Sequence, residues 1–96
     1  MLIDDLHLGA DDLCRRYRLC RLAAFGSVAR REDHQGSDLD LAVEFDGDDT
    51  LFDRYMDLKQ ELEDRFHRPV DLVTLASVRN PVFRAVLERE MVPLRG

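Results

Sequence analysis

The sequence predicts an α/β or α+β fold: a small mixed β-sheet of three to four strands with helices packed on one face. Two observations lead to this class. Apolar residues recur at helical spacing in several segments, and short apolar or alternating runs bounded by Gly, Pro and Asp lie between them. The 96 residues leave room for one domain, residues 1–96, with one hydrophobic core.

The opening segment and the run after it predict a helix followed by a strand. Leu6, Ala10, Leu13 and Tyr17 recur at spacings of three and four, which is typical of an amphipathic helix. Acidic residues near the start of this segment and arginines near its end suit the helix dipole. The short apolar run "CRLAAF", closed by Gly26, predicts the first strand.

From Asp38 onward the sequence alternates, which predicts a second strand with two different faces. One face would point to the core and carries Leu39, Leu41, Val43 and Phe45. The other would be open and carries Asp38, Asp40, Ala42 and Glu44. After "DGDDT", Thr50 and Asp53 predict a capping arrangement for a second long helix. Its expected apolar stripe comprises Leu51, Tyr55, Leu58 and Leu62, flanked by Phe52, Met56 and Phe66.

The last third of the chain predicts a strand, a helix and a short edge strand. Pro69 would stand at the entry of the strand in "RPVDLVTL", where its missing N–H is tolerated. Asn80 and Pro81 form a cap and first-turn pair for a helix whose core-facing residues would be Val82, Phe83, Val86 and Leu87. The terminal "MVPLRG" suits an edge strand because Pro93 limits its pairing.

Composition and charge restrict the function classes. The chain is 45% hydrophobic and 35% charged, with 20 acidic against 14 basic residues and a formal charge of −6. It has no basic excess with which to displace counterions from nucleic acid, so we expect no direct nucleic-acid binding. No apolar run approaches the ~20 residues that span a bilayer, and the start of the chain is acidic. We therefore expect a cytoplasmic protein that does not bind membranes.

The cysteines and histidines do not predict a metal site. Cys14 and Cys20 stand six residues apart without His or Cys at ligand spacing, so we expect free thiols. His7, His34 and His67 have no ligand-spaced companions and are expected at the surface, although His34 precedes the aspartates and a minor substrate role stays open.

The triplet Asp38-Leu39-Asp40 is the strongest indication of chemistry. Residues i and i+2 of a strand point the same way, about 6.6 Å apart at a rise of ~3.3 Å per residue, so the two carboxylates repel each other. A divalent cation would resolve this repulsion, and Mg²⁺ prefers a few carboxylates together with water and phosphate oxygens. Asp71, near the start of the third strand, is the candidate third ligand, with Val70 and Leu72 beside it facing the core.

Gly26-Ser27 supplies a candidate phosphate-binding turn upstream of the carboxylates. Gly26 permits a tight turn after the first strand, and Ser27 can open a short helix whose N–H groups face a triphosphate. Arg30 and Arg31 could pair with phosphate oxygens or lie in solvent. For the aspartates the plain alternative is an acidic strand end that keeps a sheet edge soluble. A calcium loop is excluded because Ala42 and Val43 stand where an EF-hand needs a ligand and a glycine.

The stretch "GSVARREDHQGSDLDLAV" resembles the signature of the polymerase-β-like nucleotidyltransferase superfamily, in which Gly-Ser, ten residues and Asp-x-Asp follow one another. Here residues 28–37 separate Ser27 from Asp38. The small size, "SVAR" and the later "VDLV" are most similar to the minimal nucleotidyltransferases (MNT), the antitoxin half of HEPN/MNT toxin–antitoxin pairs. The resemblance covers roughly residues 20 to 92. One departure is Arg31, where the family usually has Gly, a residue tolerant of positive φ.

The resemblance implies both an activity and a set of site residues. Asp38, Asp40 and Asp71 would be the catalytic carboxylates and would bind two Mg²⁺ ions. The nucleotide would be held by Gly26, Ser27, Arg30 and Ser37. AMP would pass from ATP to a hydroxyl, typically a tyrosine, of a partner HEPN toxin, which is thereby silenced. The protein would form a hetero-oligomer with that toxin or a homodimer.

Two other functions compete with this one. A non-catalytic antitoxin could neutralise the HEPN ribonuclease by direct contact, and the acidic surface could cover a basic groove. A nucleotidyltransferase acting on small molecules would generally need an additional domain to hold the acceptor, which 96 residues do not offer.

Overall fold

The computed structural model describes residues 2–32, 38–47 and 49–95. The elements, in chain order, are α1 (Leu2–Tyr17), β1 (Leu19–Phe25), α2 (Gly26–Ala29), β2 (Leu39–Phe45), α3 (Leu51–Phe66), β3 (Val70–Thr74), a 3₁₀ turn (Leu75–Ser77), α4 (Pro81–Glu90) and β4 (Val92–Arg95). This order confirms the predicted α+β class. None of the helices in these ranges is both long and apolar enough to cross a membrane.

The four strands form one mixed sheet in the order β3-β2-β1-β4. β1 is antiparallel to both β2 and β4, whereas β2 and β3 run parallel. A parallel pair needs a crossover connection, and α3 provides it between β2 and β3. β3 and β4 are therefore the edge strands, and the first residues of β2 and β3 lie side by side.

The larger hydrophobic cluster joins one face of the sheet to α1 and α3. The alternation predicted for β2 is confirmed, because Leu39, Leu41 and Val43 are fully buried there. The helical residues of this cluster include Leu6, Ala10 and Leu13 of α1 with Leu58 and Leu62 of α3. Tyr17 and Tyr55 are partly buried and pack against it.

The opposite face of the sheet carries a second, smaller cluster that the sequence pattern did not indicate. Its members are Ala23, Ala42, Leu75, Leu87 and Met91. Ala42 belongs to the predicted open face but is fully buried, because the 3₁₀ turn and α4 pack over it. The two alanines leave room for this approach. Asp40 and Glu44, on the same face, stay partly exposed.

Several apolar side chains predicted to face the core are exposed instead. They are Leu51 (39%), Phe52 (75%) and Met56 (43%) of α3 with Val82 (72%) and Phe83 (50%) of α4. The reason in α3 is helical phase. The buried face is set by Arg54, Leu58 and Leu62, and a residue two positions from Arg54 lies on the opposite side of the helix.

The two predicted helix caps differ in outcome. The Asn80 side chain accepts hydrogen bonds from the N–H groups of Val82 (2.9 Å) and Phe83 (3.2 Å), which confirms the cap of α4. The prediction that the Thr50 side chain caps α3 is wrong. Thr50 is left-handed (φ 54°), and its hydroxyl donates to the carbonyl of Asp49 rather than accepting from α3.

Candidate active site

Gly26 marks the point where β1 ends and α2 begins. Its φ of +68° lies in the left-handed region, which glycine adopts without strain. A Cβ added there would overlap Oδ2 of Asp40 and lie 3.1 Å from its Cγ. The Gly-Ser turn and the Asp-x-Asp strand are therefore in contact, although 13 residues separate Gly26 from Asp40 in the chain.

The structure brings the predicted carboxylates to one end of the sheet. Asp40, the second residue of β2, pairs in register with Asp71 on β3 and with Phe25 on β1. Asp38 is exposed and stands directly before β2, and Asp71 is also exposed. Val70 and Leu72 on either side of Asp71 are buried, as the sequence predicted.

Burial is the largest cause that raises the pKa of Asp40 above its ordinary value. The negative charges of Asp71 and then Asp38 raise this pKa further, while the positive charge of Arg30 lowers it. The three carboxylates thus share one electrostatic neighbourhood. A bound cation would favour their ionised forms and relieve the repulsion between them.

This arrangement suits a metal ion whose coordination is completed by other ligands. Within the described ranges, no three or more His, Cys, Asp and Glu side chains are already grouped to hold a metal ion by themselves. The three carboxylates would therefore need other ligands to complete the coordination of a metal ion. Mg²⁺ is an ion that binds one or two carboxylates and keeps water and phosphate oxygens as further ligands. The donor set and the perturbed Asp40 fit this ion.

Ser27 and Arg30 flank the carboxylates at α2. Ser27 is half-buried, and its carbonyl accepts a hydrogen bond from the N–H of Glu32 (2.8 Å). Arg30 is exposed, acts on Asp40 through its charge, and donates from Nε to the Glu32 carboxylate (3.1 Å). Glu32 thus closes the turn after α2, a role that the sequence analysis did not assign. The Arg30-x-Glu32 spacing is the only local signal for it.

Arg31 and Ser37 differ from the other predicted residues of the turn. Arg31 is left-handed (φ 58°), and its Nη2 lies 3.4 Å from Oδ1 of Asp4 on α1. The structure thus gives the Arg31 side chain a protein partner. Ser37 and His34 lie outside the described residues.

Comparison with known proteins agrees with this geometry. Residues 12–92 match the family model described as polymerase beta, nucleotidyltransferase. A candidate protein adenylyltransferase of Methanocaldococcus jannaschii is 36% identical over 78 residues, which are 80% of this chain and 78% of that protein. The protein adenylyltransferase MntA of Thermococcus cleftensis is 32% identical over 81 residues, 84% of this chain and 80% of that protein.

Solved structures share the fold over nearly the whole chain. A candidate minimal nucleotidyltransferase superposes with a TM-score of 0.79 at 35% identity, covering 95% of this chain and 94% of that one. A chain of a toxin–antitoxin complex with AMP-PNP superposes with a TM-score of 0.74 at 28% identity. The match covers 94% of this chain and 73% of that one.

A third structure contains a modified toxin. It is a tri-AMPylated Shewanella oneidensis HEPN toxin in complex with an MNT antitoxin. The TM-score is 0.68 at 25% identity, and the match covers 98% of this chain and 72% of that one. Because the family match spans most of the sequence, and both halves of the predicted signature meet at Gly26 and Asp40, this chain belongs to the polymerase beta nucleotidyltransferase family.

Proposed function

We propose that this protein is an antitoxin enzyme that transfers AMP from ATP to a hydroxyl group, typically that of a tyrosine, on a partner HEPN toxin. The observation that carries the proposal is the alignment of Asp40 with Asp71 on parallel strands, beside a glycine that leaves space for Asp40. The names of the relatives support the reaction type, and the AMPylated toxin in complex with an MNT antitoxin supports the class of acceptor.

In the transfer, a bond forms between the acceptor oxygen and the α-phosphorus of ATP, the bond to the pyrophosphate breaks, and the hydroxyl proton passes to the Asp71 carboxylate or to water. Asp38, Asp40 and Asp71 would hold two Mg²⁺ ions, which when bound neutralise phosphate charge and make the hydroxyl more acidic. Asp71 is exposed on an edge strand, so its carboxylate is open to an arriving hydroxyl.

The turn at α2 would position the triphosphate. Gly26 lets the backbone pass close to the Asp40 carboxylate, and Ser27, the next residue, would offer its hydroxyl to a phosphate oxygen. Arg30 is exposed and close enough to act on Asp40, so its guanidinium can pair with a phosphate oxygen after leaving Glu32. With so few residues at the site, positioning and electrostatics must provide the catalysis.

Mass spectrometry of the HEPN toxin after incubation with this protein, ATP and Mg²⁺ tests the proposal. We expect mass increments of AMP on the toxin, and we expect none with the Asp38→Ala/Asp40→Ala variant. A toxin that stays unmodified but still co-purifies with the protein would identify a non-catalytic antitoxin instead. Peptide mapping of a modified toxin would establish whether the acceptor is a tyrosine.

A further inference from the structure

Three of the exposed apolar side chains of α3 and α4 line two adjacent depressions. One depression, of about 390 Å³, is lined by Leu51 and Phe52. A neighbouring depression, of about 550 Å³, is lined by Phe83. Tyr55, Thr74 and Ser77 line both depressions, so the two lie next to each other. We call this surface, from Phe52 to Phe83, the α3–α4 groove.

The groove reaches the candidate active site along β3. Leu72 and Thr74 line it, and Leu72 directly follows Asp71. At a rise of ~3.3 Å per residue, Thr74 lies about 10 Å along the strand from Asp71. Asp71 alternates with Leu72 and Thr74 and so faces the other side of the sheet. A protein seated in the groove would therefore reach Asp71 around the free edge of β3, away from the nucleotide turn at Gly26, which lies across the sheet beside β1.

Hydrogen bonds from α3 already occupy part of the free edge of β3. The Tyr55 hydroxyl donates to the carbonyl of Leu72 (2.8 Å), and the Glu63 carboxylate accepts from the N–H of Val70 (3.1 Å). An added strand would have to break these bonds. Docking by apolar side chains is thus the mode that this edge favours.

Acidic residues flank the apolar stripe on α3. Asp53 and Asp57 directly follow Phe52 and Met56 in the sequence, and both are exposed. Because residues four apart are neighbours on a helix, the two aspartates form an acidic row beside the apolar row of Phe52 and Met56. Glu44 adds a negative charge to the lining of the groove, and Arg79 adds a positive charge at the end of the groove near α4. A second copy seated symmetrically on α3 would bring the acidic rows of two chains of charge −6 together. A partner with Lys or Arg beside apolar side chains would complement them.

We propose that the α3–α4 groove is the docking surface for the toxin that receives AMP, and that the toxin contacts it with apolar side chains flanked by basic ones. This inference rests on the proposed function and adds to it the surface that holds the acceptor. Apolar contacts anchor the toxin at Phe52 and Phe83, and the acidic row on α3 orients it.

The test compares Phe52→Ser and Phe83→Ser with Leu8→Ser, a matched control in which an 86% exposed leucine of α1 is changed outside the groove. Toxin binding is measured by isothermal titration calorimetry without ATP, and AMP transfer is measured over a range of toxin concentrations. We expect each groove variant to bind toxin at least about tenfold more weakly, since truncating a central apolar anchor costs that much. The KM for toxin should rise, while kcat and ATP binding stay those of the wild type. Leu8→Ser should match the wild type throughout.

The outcomes separate docking from catalysis. Groove variants that bind the toxin as the wild type does would overturn the docking proposal and leave the AMP transfer intact. A Phe52→Ser change that only converts a dimer to a monomer would assign the groove to a second copy and likewise overturn it. If the wild type neither binds nor modifies the toxin, the proposed function fails together with the docking site.

Discussion

Gly26 and Asp40 are packed so closely that any side chain at position 26 would displace the Asp40 carboxylate. The added Cβ would overlap the Asp40 carboxylate, and the φ of +68° would strain any other residue. This contact links the turn proposed to hold phosphate to the carboxylate proposed to hold metal. The glycine of the signature is therefore explained by the space that Asp40 needs as well as by the turn itself.

We expect Gly26→Ala to lower AMP transfer by at least about tenfold, because the new methyl group displaces the Asp40 carboxylate. The left-handed backbone should reduce the free energy of unfolding by about 1–2 kcal/mol. Transfer assays and urea unfolding measure the two effects. Gly9→Ala is the matched control. Gly9 lies within α1, and a methyl group there would meet only the flexible end of the Arg65 side chain. That variant should stay active, and its free energy of unfolding should rise by up to about 1 kcal/mol. Full activity of Gly26→Ala would contradict the proposed role of this contact.

Mg²⁺ should stabilise the wild-type protein through Asp40. The charges of Asp71 and Asp38 oppose ionisation of Asp40, so Asp40→Asn should raise the melting temperature when Mg²⁺ has been removed with EDTA. Adding Mg²⁺ to about ten times its Kd should stabilise the wild type by about 1.4 kcal/mol. The variant should gain much less. Asp57→Asn, an exposed change on α3, should respond to Mg²⁺ like the wild type, and an equal response from Asp40→Asn would exclude Asp40 as a ligand.

The contact between α1 and α3 predicts a pH dependence of stability. Arg16 donates to both carboxylate oxygens of Glu61, and the Tyr17 hydroxyl donates to Oε1 (2.7 Å). The hydrogen bond from Arg16 is the largest cause that lowers the pKa of Glu61. A carboxyl whose pKa is lowered on folding stabilises the fold above its unfolded pKa, 4.5 here, and loses that contribution as the pH falls through the folded value.

The wild type should therefore exceed Glu61→Gln in free energy of unfolding by about 0.5 kcal/mol at pH 7, because solvent screens this largely exposed ion pair. The difference should shrink below pH 4.5. Urea unfolding of both proteins between pH 3 and 7 measures it. Tyr17→Phe should retain most of this pH dependence, since Arg16 is the main partner of Glu61. A difference that stays constant down to pH 3 would contradict the role of this ion pair.

The sequence was sufficient to predict the parts of the site that depend on local order. The alternation of β2 placed Asp38 and Asp40 at the start of a strand with a buried face, and Val70 and Leu72 did the same for Asp71. The place of Asp71 near the start of the third strand, and then the resemblance, predicted it as the third carboxylate. Its pairing with Asp40 could not be predicted, because strand spacing alone does not specify which strands are neighbours.

Long-range packing could not be predicted in the same way. Arg54 interrupts the apolar stripe of α3 in the sequence, yet it is buried. Its guanidinium donates to the backbone carbonyls of Tyr17, Asp46, Gly47 and Asp49. Helical periodicity does put position 54 on the same face as Leu58 and Leu62. Its acceptors come from separate segments of the chain, however, so the sequence gives no sign that a buried arginine is satisfied there. Its burial sets the phase of α3 and leaves Phe52 and Met56 exposed.

Substitutions at position 31 test whether an arginine, where the family usually has glycine, lowers the stability of the fold. Its φ of 58° is a conformation that strains any residue other than glycine by about 1–2 kcal/mol. Arg31→Gly and Arg31→Ala both remove the exposed ion pair with Asp4, which contributes little, but only the glycine relieves the backbone. We expect Arg31→Gly to be more stable than Arg31→Ala by about 1 kcal/mol in urea unfolding, with AMP transfer retained in both. An alanine variant as stable as the glycine variant would show that residue 31 is not held in the left-handed conformation, and that the backbone hydrogen bonds of the turn, among them that from the Glu32 N–H to the Ser27 carbonyl, do not require it.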